Sequence, residues 1–336
     1  MSWQRIRGHE ALVQGFTQAW RRGRLAHGYL FSGPPGVGKR LFADELAKAM
    51  LCEAATNKFE ACDRCAACTL VTAGTHPDFF AVSRPEDTNE IPIAVMRELC
   101  RGFTLKTARG RGKVAVLDDA DDLNEESANC FLKTLEEPPP RSVFILVGTS
   151  VDRQLATVVS RCQVIRFAPL PEENVVELLR SQGVEVGPSL RQAARLAGGS
   201  PGQAAMLADL ALWKFRKVLL DGFCKRQPDT VSLAKAWIEF CEEAGKEAAV
   251  QRRRAALVLR LLVEFLKDAL GRSLGAAPGR EELADAAPPS FPQSVSPEQI
   301  LRMLDRCLDA ETQLERYVQL TLVLEGLLDA LGQLAS

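Results

Sequence analysis

The chain has 336 residues, 46% of them hydrophobic and 25% charged, which exceeds one compact domain and supplies apolar material for several cores. Its formal net charge of −1 excludes a global basic field that would draw it onto nucleic acid, so such contacts must come from a local patch or from partner subunits. No apolar run reaches the roughly 18 residues of a membrane span, and Met1-Ser2-Trp3-Gln4-Arg5 lacks a secretory stretch, which predicts a cytoplasmic protein with no membrane partner.

In chain order, short apolar strands alternate with helical stretches up to about residue 168, the signature of a parallel α/β sheet. The strands are expected at Tyr29–Ser32, Asp78–Val82, Lys113–Asp118, Val143–Thr149 and Gln163–Phe167. Amphipathic runs lie between them at Lys39–Leu51, Ile93–Phe103 and Glu125–Glu136, the last stopped by Pro138-Pro139-Pro140. After Pro169 the strand signal disappears. Glu172–Ser181, Ser189–Ala197 and Pro201–Leu210 read as short helices separated by glycine. Longer helices are expected at Leu212–Leu220, Ser232–Ala244, Arg252–Leu270 and Pro297–Leu334, with Leu274 to Ser296 as a mobile connection rich in Ala, Pro, Ser and Glu. Ile300, Leu304, Leu308, Leu314, Val318 and Leu322 recur at helical spacing and are expected to face a helical core or a neighbouring subunit.

Gly33-Pro34-Pro35-Gly36-Val37-Gly38-Lys39 sits between an apolar strand and a helix, the context that the G-x-x-x-x-G-K phosphate loop requires. Glycines there let backbone N–H groups converge on phosphate oxygens: Gly33, Gly36 and Gly38 shape the loop, and Lys39 neutralises β/γ charge. The next position normally offers a hydroxyl to Mg²⁺, and here it is Arg40, which cannot ligate a cation. Lysine and backbone donors would still hold a nucleotide, so ATP with Mg²⁺ stays open as a ligand. Efficient metal-dependent hydrolysis is not expected. Val114 to Asp119 is an apolar strand ending in carboxylates, with Asp118 on the metal side and Asp119 where a glutamate usually polarises water. Losing one methylene shifts a general base by about an ångström, and catalysis is sensitive to errors of that size.

The chain has 10 cysteines, expected as thiols or metal ligands in a reducing compartment. Cys52, Cys62, Cys65 and Cys68 fall within one short insertion, and two overlapping C-x2-C steps direct sulfurs to one tetrahedral centre. Zinc suits four thiolates, and a closed shell with no open position makes it structural. Cys100, Cys130, Cys162, Cys224, Cys241 and Cys307 read as packed or surface thiols.

Asn129, the run Leu132-Lys133-Thr134-Leu135-Glu136-Glu137-Pro138-Pro139, the triplet Ser160-Arg161-Cys162, Arg24 to His27 and His76-Pro77-Asp78 together resemble the AAA+ clamp-loader family, densely over residues 1–206. The resemblance implies an AAA+ P-loop NTPase domain over 1–168 carrying the 52–68 insertion, a helical lid over 169–208 and an all-α collar over 209–336. It implies that Arg161 projects into a neighbour's ATP site as an arginine finger; read from the triplet alone, Arg161 would pair with a carboxylate at a helix end. The implied partners are a gamma/tau-like ATPase and a delta-like subunit in a heteropentameric ring, with the sliding clamp and primed DNA reached through that complex.

Within this family the chain is either an ATP-hydrolysing motor or a non-hydrolysing stator. Arg40 removes the hydroxyl ligand, Asp119 replaces the glutamate, and Gly198-Gly199-Ser200-Pro201-Gly202 puts glycine where active relatives carry a lid arginine. These three losses favour the stator, as does the lack of a long tail after the last helices. Lys106, Arg109, Arg111 and Lys113 form a short basic stretch, a solvated loop when read alone and a phosphate contact within an assembled loader.

Overall fold

The computed structural model describes residues 2–54, 58–85, 88–184, 188–275 and 295–335. They divide into two compact units, one of Met1–Val184 with Ala197–Ala204 and one of Glu185–Leu196 with Ala205–Ser336. The expected lid is therefore split between the units.

In the first unit a 3₁₀ turn (Ser2–Arg5) precedes α1 (Glu10–Arg21), β1 (Gly28–Ser32) and α2 (Lys39–Leu51). Then follow α3 (Ala66–Thr72), β2 (Phe79–Val82), α4 (Ile93–Thr104), β3 (Val114–Leu117), α5 (Glu125–Glu136), β4 (Val143–Gly148), α6 (Ala156–Val159), β5 (Gln163–Arg166) and α7 (Glu172–Ser181). The strands pair in the order β2-β3-β4-β1-β5, all parallel. Every residue of β1, β3 and β4 is buried, which is why these central strands read as unbroken apolar runs. The edge strand β5 is partly exposed along its length. All five expected strands are present; β2, β3 and β4 fall short by the polar residues Asp78, Lys113 with Asp118, and Thr149, β5 stops before Phe167, and β1 begins one residue earlier, at Gly28. Asp78, for instance, ends a turn in which its own N–H donates to His76 Nδ1 at 3.0 Å.

One face of the sheet is sealed by α4 and α5. Phe144 of β4 stacks on Phe103 at 4.4 Å and meets Phe131 edge-on at 4.9 Å, with all three rings fully buried. On the other face Phe16, Phe31, Phe42 and Phe167 form a second aromatic cluster around α2.

The second unit is all-helical: α8 (Pro188–Leu196), α10 (Leu210–Phe223), α11 (Thr230–Glu242), α12 (Ala248–Ser273), α13 (Pro297–Glu315) and α14 (Leu320–Ala335). The remaining helix, α9 (Pro201–Leu207), begins in the first unit and ends in the second. Trp237 is fully buried, and Phe215 stacks on Phe240 at 4.3 Å under the Arg254 guanidinium. The single helix expected at Pro297–Leu334 is two helices. Tyr317 adopts φ +60, a left-handed conformation that no continuing α-helix tolerates, and the chain restarts at Leu320. The start of α13 carries a capping box, with Ser296 Oγ accepting from Gln299 N at 3.3 Å and Gln299 Oε1 accepting from Ser296 N at 2.8 Å. The stripe expected along this region also shifts. Ile300 and Leu314 are buried, but Leu308, Val318 and Leu322 are exposed, and Met303, Cys307, Leu324 and Leu328 fill the core instead. The connection expected from Leu274 to Ser296 lies outside the described residues over 276–294.

Removing the ring at Phe144 deletes a side chain held on two sides by other rings. Phe144→Ala is expected to cost about 3–5 kcal/mol, read as a lowered urea midpoint, with Phe144→Leu costing clearly less.

Candidate functional site

The strand order places β1 between β4 and β5, and the segments following β1, β3 and β4 line one crevice at the strand ends, where α/β sheets bind ligands. The phosphate-loop segment occupies it. Gly33 N donates to Thr149 O at 3.1 Å, fastening the loop to the end of β4. Gly36 (φ +75) and Gly38 (φ +99) are left-handed, and a Cβ on Gly36 would meet Ser200 Oγ at 2.4 Å. From behind, buried His9 contacts Val37 O through Nε2 at 2.9 Å. An open cavity of about 340 Å³ remains, lined among others by Gly38, Lys39, Asp118, Asp119 and Thr149.

The side chains of this crevice are engaged with one another. Lys39 Nζ donates to the carbonyl oxygens of Gly33 at 2.6 Å and Pro34 at 2.7 Å. Burial lowers its pKa, while Asp121 and Asp118 act in the opposite direction. Arg40 reaches across to Asp118, with its NH1 3.2 Å from Oδ2, and its Nε bonds Asp44 at 3.0 Å. Burial works against the Arg40 charge, but Asp44 and Asp118 more than offset it and raise its pKa. The guanidinium thus satisfies the carboxylate that would otherwise face a metal ion. These residues do not fit a Mg²⁺–nucleotide in the usual manner: the hydroxyl ligand is gone and the second-strand carboxylate is already paired.

Asp119 starts the 3₁₀ turn Ala120–Asp122 with φ +53, uncommon for a non-glycine residue. Its pKa is raised by burial and by its neighbours Asp118 and Asp122. The glycine-rich segment at the start of α9 lies directly on the loop. Gly202 N donates to Gly36 O at 3.1 Å, and a Cβ on Gly202 would fall 3.2 Å from Gly36 Cα. A side chain at this position would require the two backbones to part by a few tenths of an ångström.

Arg161 lies away from this crevice, just before β5. Its Nε donates to Glu136 Oε1 at 2.7 Å and its NH1 to Thr157 O at 2.8 Å, and the side chain is one-third exposed. The pairing read from the triplet alone is thus the one present in the isolated chain.

The four insertion cysteines converge. Their sulfurs all lie within 4.8 Å of one another, with Cys52–Cys65 and Cys62–Cys68 each at 4.0 Å. Tetrahedral Zn–S bonds of about 2.3 Å would set sulfurs about 3.8 Å apart, so the donor set fits such an ion. Cys65 N donates to Cys62 Sγ at 3.3 Å and Cys68 N to Cys65 Sγ at 3.4 Å, contacts that favour thiolates. Burial pushes the Cys65 thiol up, but the N–H groups of Cys68 and Glu53 and the neighbouring thiols pull it down to about 6.

Comparison with known proteins decides the family. The family described as "DNA polymerase III, delta subunit" matches residues 8–171. DNA polymerase III subunit delta′ of Escherichia coli is 32% identical over 285 residues, 82% of this chain and 82% of that one. The delta′ subunit of Pseudomonas aeruginosa is 36% identical over 230 residues, 66% of this chain and 69% of that one. This chain belongs to the delta-prime family of DNA polymerase III subunits. The tau subunit of E. coli is also similar, 32% identical over 210 residues, but only 32% of its length is covered. The delta-prime reading is therefore favoured over the gamma/tau one, and the parallel α/β fold with a phosphate-type loop between β1 and α2, expected from the sequence, is the fold observed.

Within this delta-prime chain, sequence reasoning missed the role of two residues of the crevice, Asp121 and Thr149. Asp121 accepts from Thr149 N at 2.8 Å, from Thr149 Oγ1 at 2.5 Å and from Gln154 Nε2, locking the acidic turn to the end of β4. The available signal was a polar residue directly after the all-apolar β4. The basic stretch does not stay together. Lys113 is buried, donating to the carbonyls of Gly102 and Leu105 beneath Phe80 and Phe103, and so cannot face DNA. Arg109 pairs with Glu53, Arg111 bonds Glu53 O at 3.3 Å, and Lys106 is exposed. His76-Pro77-Asp78 is likewise structural, since Asp78 accepts from Ala108 N at 2.8 Å and Arg109 N at 2.9 Å.

Asp121→Ala leaves Thr149 N and the Gln154 amide without their acceptor. It is expected to destabilise the protein by about 1–3 kcal/mol in chemical denaturation, with Asp121→Asn intermediate.

Proposed function

We propose that this delta-prime chain is a non-hydrolysing stator of the DNA polymerase III clamp loader, which lends Arg161 to the ATP site of a neighbouring subunit. The observation that carries the reading is Arg40. Its guanidinium bridges Asp44 and Asp118, where a hydrolysing loop would hold a hydroxyl and a metal ion. Lys39 bonded to its own loop and Gly202 seated on Gly36 support the same conclusion. A rigid planar guanidinium at Arg161 suits charge developing on a γ-phosphate, and its position on the surface leaves it accessible to a partner.

The partners in this reading are a gamma/tau-like ATPase and a delta-like subunit in a heteropentameric ring that loads the sliding clamp on primed DNA. Exposed Leu301, Leu308 and Leu322 on α13 and α14 are apolar surface that collar packing would cover. Zinc held by Cys52, Cys62, Cys65 and Cys68 would be structural, its closed sulfur shell bracing the insertion. No helix among the described residues is long and apolar enough to cross a membrane.

The isolated chain is expected to show no ATP turnover above background, whereas appreciable turnover would restore the motor reading. In the reconstituted loader, Arg161→Ala is expected to lower DNA-stimulated ATPase by about 10³-fold, and full activity would remove the finger. Metal analysis should return one zinc per chain, with four thiols shielded from a disulfide reagent until chelator is added. Cys62→Ser should lose the ion.

A further inference from the structure

Glu136 is the last residue of α5, and the chain leaves the helix at Glu137 and Pro138-Pro139-Pro140. A carboxylate in that place sits among free helix carbonyls, at the negative end of the helix dipole, where an acid is disfavoured. A cation compensates it, and that cation is Arg161, contacting Glu136 through both Nε (2.7 Å) and NH2. The other edge is also held, because NH1 donates to Thr157 O at 2.8 Å and to Ser160 Oγ at 3.1 Å.

Both partners stand on rigid backbone. Leu135, next to Glu136, is fully buried, and Cys162, next to Arg161, packs against the same core. A Cβ on Gly28 at the start of β1 would meet Arg161 O and Leu135 Cδ1, each at 3.1 Å, so the two segments close tightly on that strand. Glu136 and Arg161 themselves remain 46% and 33% exposed. A pair so exposed adds little to folding stability, and stability alone gives poor reason to hold it.

We infer that Glu136 is a positioning residue for Arg161, fixing the plane of the guanidinium before the neighbouring subunit's nucleotide meets it. This rests on the finger reading of Arg161. A free arginine must surrender its rotamer freedom on each engagement; one already held at Nε has less to lose.

The test is DNA-stimulated ATPase per assembled loader, reconstituted with wild-type, Glu136→Ala, Glu136→Gln, Arg161→Ala or the double variant. Glu136→Ala should lower kcat by about 5- to 20-fold with the KM for ATP within about twofold, the mark of an interaction needed only in the transition state. Glu136→Gln keeps the acceptor oxygen and should retain at least about half of the wild-type kcat. Glu136→Ala should change nothing further once Arg161 is alanine. If Arg161→Ala is impaired while Glu136→Ala has wild-type or higher kcat, the positioning role is overturned and the finger stands. A further loss from Glu136→Ala in the Arg161→Ala background also overturns it, since Glu136 would then act independently of the arginine. An unaffected Arg161→Ala overturns the finger reading itself and this inference with it.

Discussion

Everything at the crevice depends on β1 being wedged between β4 and β5. Pairing on both sides leaves its end with nowhere to go but into the loop, and the neighbouring strands supply the anchors. Gly33 N is taken by Thr149 O, and Phe167 N donates to Ser32 O at 2.8 Å. A Cβ on Gly33 would strike Phe167 O at 2.3 Å, so the backbone passes where no side chain fits. The phosphate-loop conformation is thus a consequence of sheet order as well as of glycine content.

Given that scaffold, one substitution redirects the electrostatics. A hydroxyl after Lys39 would leave Asp118 with an unmet demand for positive charge, which a metal ion normally answers. Arg40 answers it from within the chain, at the half-buried end of α2, and shares its charge with Asp44. An internal cation differs from a dissociable one in that it cannot leave, and its presence is not coupled to nucleotide. The same logic governs Arg161, whose guanidinium is accessible to a partner yet held by Glu136 on one side and Thr157 O on the other.

The cysteine insertion is tied to this scaffold by polar and aromatic contacts. Lys48 on α2 is buried and pairs with Glu45 at 2.7 Å and with Asp63 at 3.0 Å, between Cys62 and Cys65. Asp63 takes a left-handed φ of +54, and Phe59 stacks on Trp20 while its carbonyl accepts from Trp3 Nε1 at 2.6 Å. The sulfur cluster therefore stands on the helix that starts at Lys39, so the order of the insertion and that of the loop share one element.

The sequence by itself determined the parallel α/β sheet, the phosphate loop and the four-cysteine cluster, because each depends on local spacing, while the family was legible as a resemblance carried by a few motifs such as Ser160-Arg161-Cys162. Buried parallel strands read as continuously apolar, the loop's left-handed positions favour glycine, and cysteines three residues apart can turn their sulfurs toward one centre. The tertiary structure decided what the charged groups do. Lys113 looks like a surface cation in its Gly-rich stretch, yet it is buried under Phe80 and Phe103, since the chain folds back so that the carbonyls at the end of α4 accept from it. Arg40 could be read as a lost ligand; that it satisfies Asp118, 78 residues away, depends on the sheet bringing β3 alongside the loop. Likewise the break at Tyr317 and the exposure of Leu308 and Leu322 follow from how two helices fold back on each other, which helical periodicity does not encode. Charges act through space, and their partners are fixed only once the chain has closed.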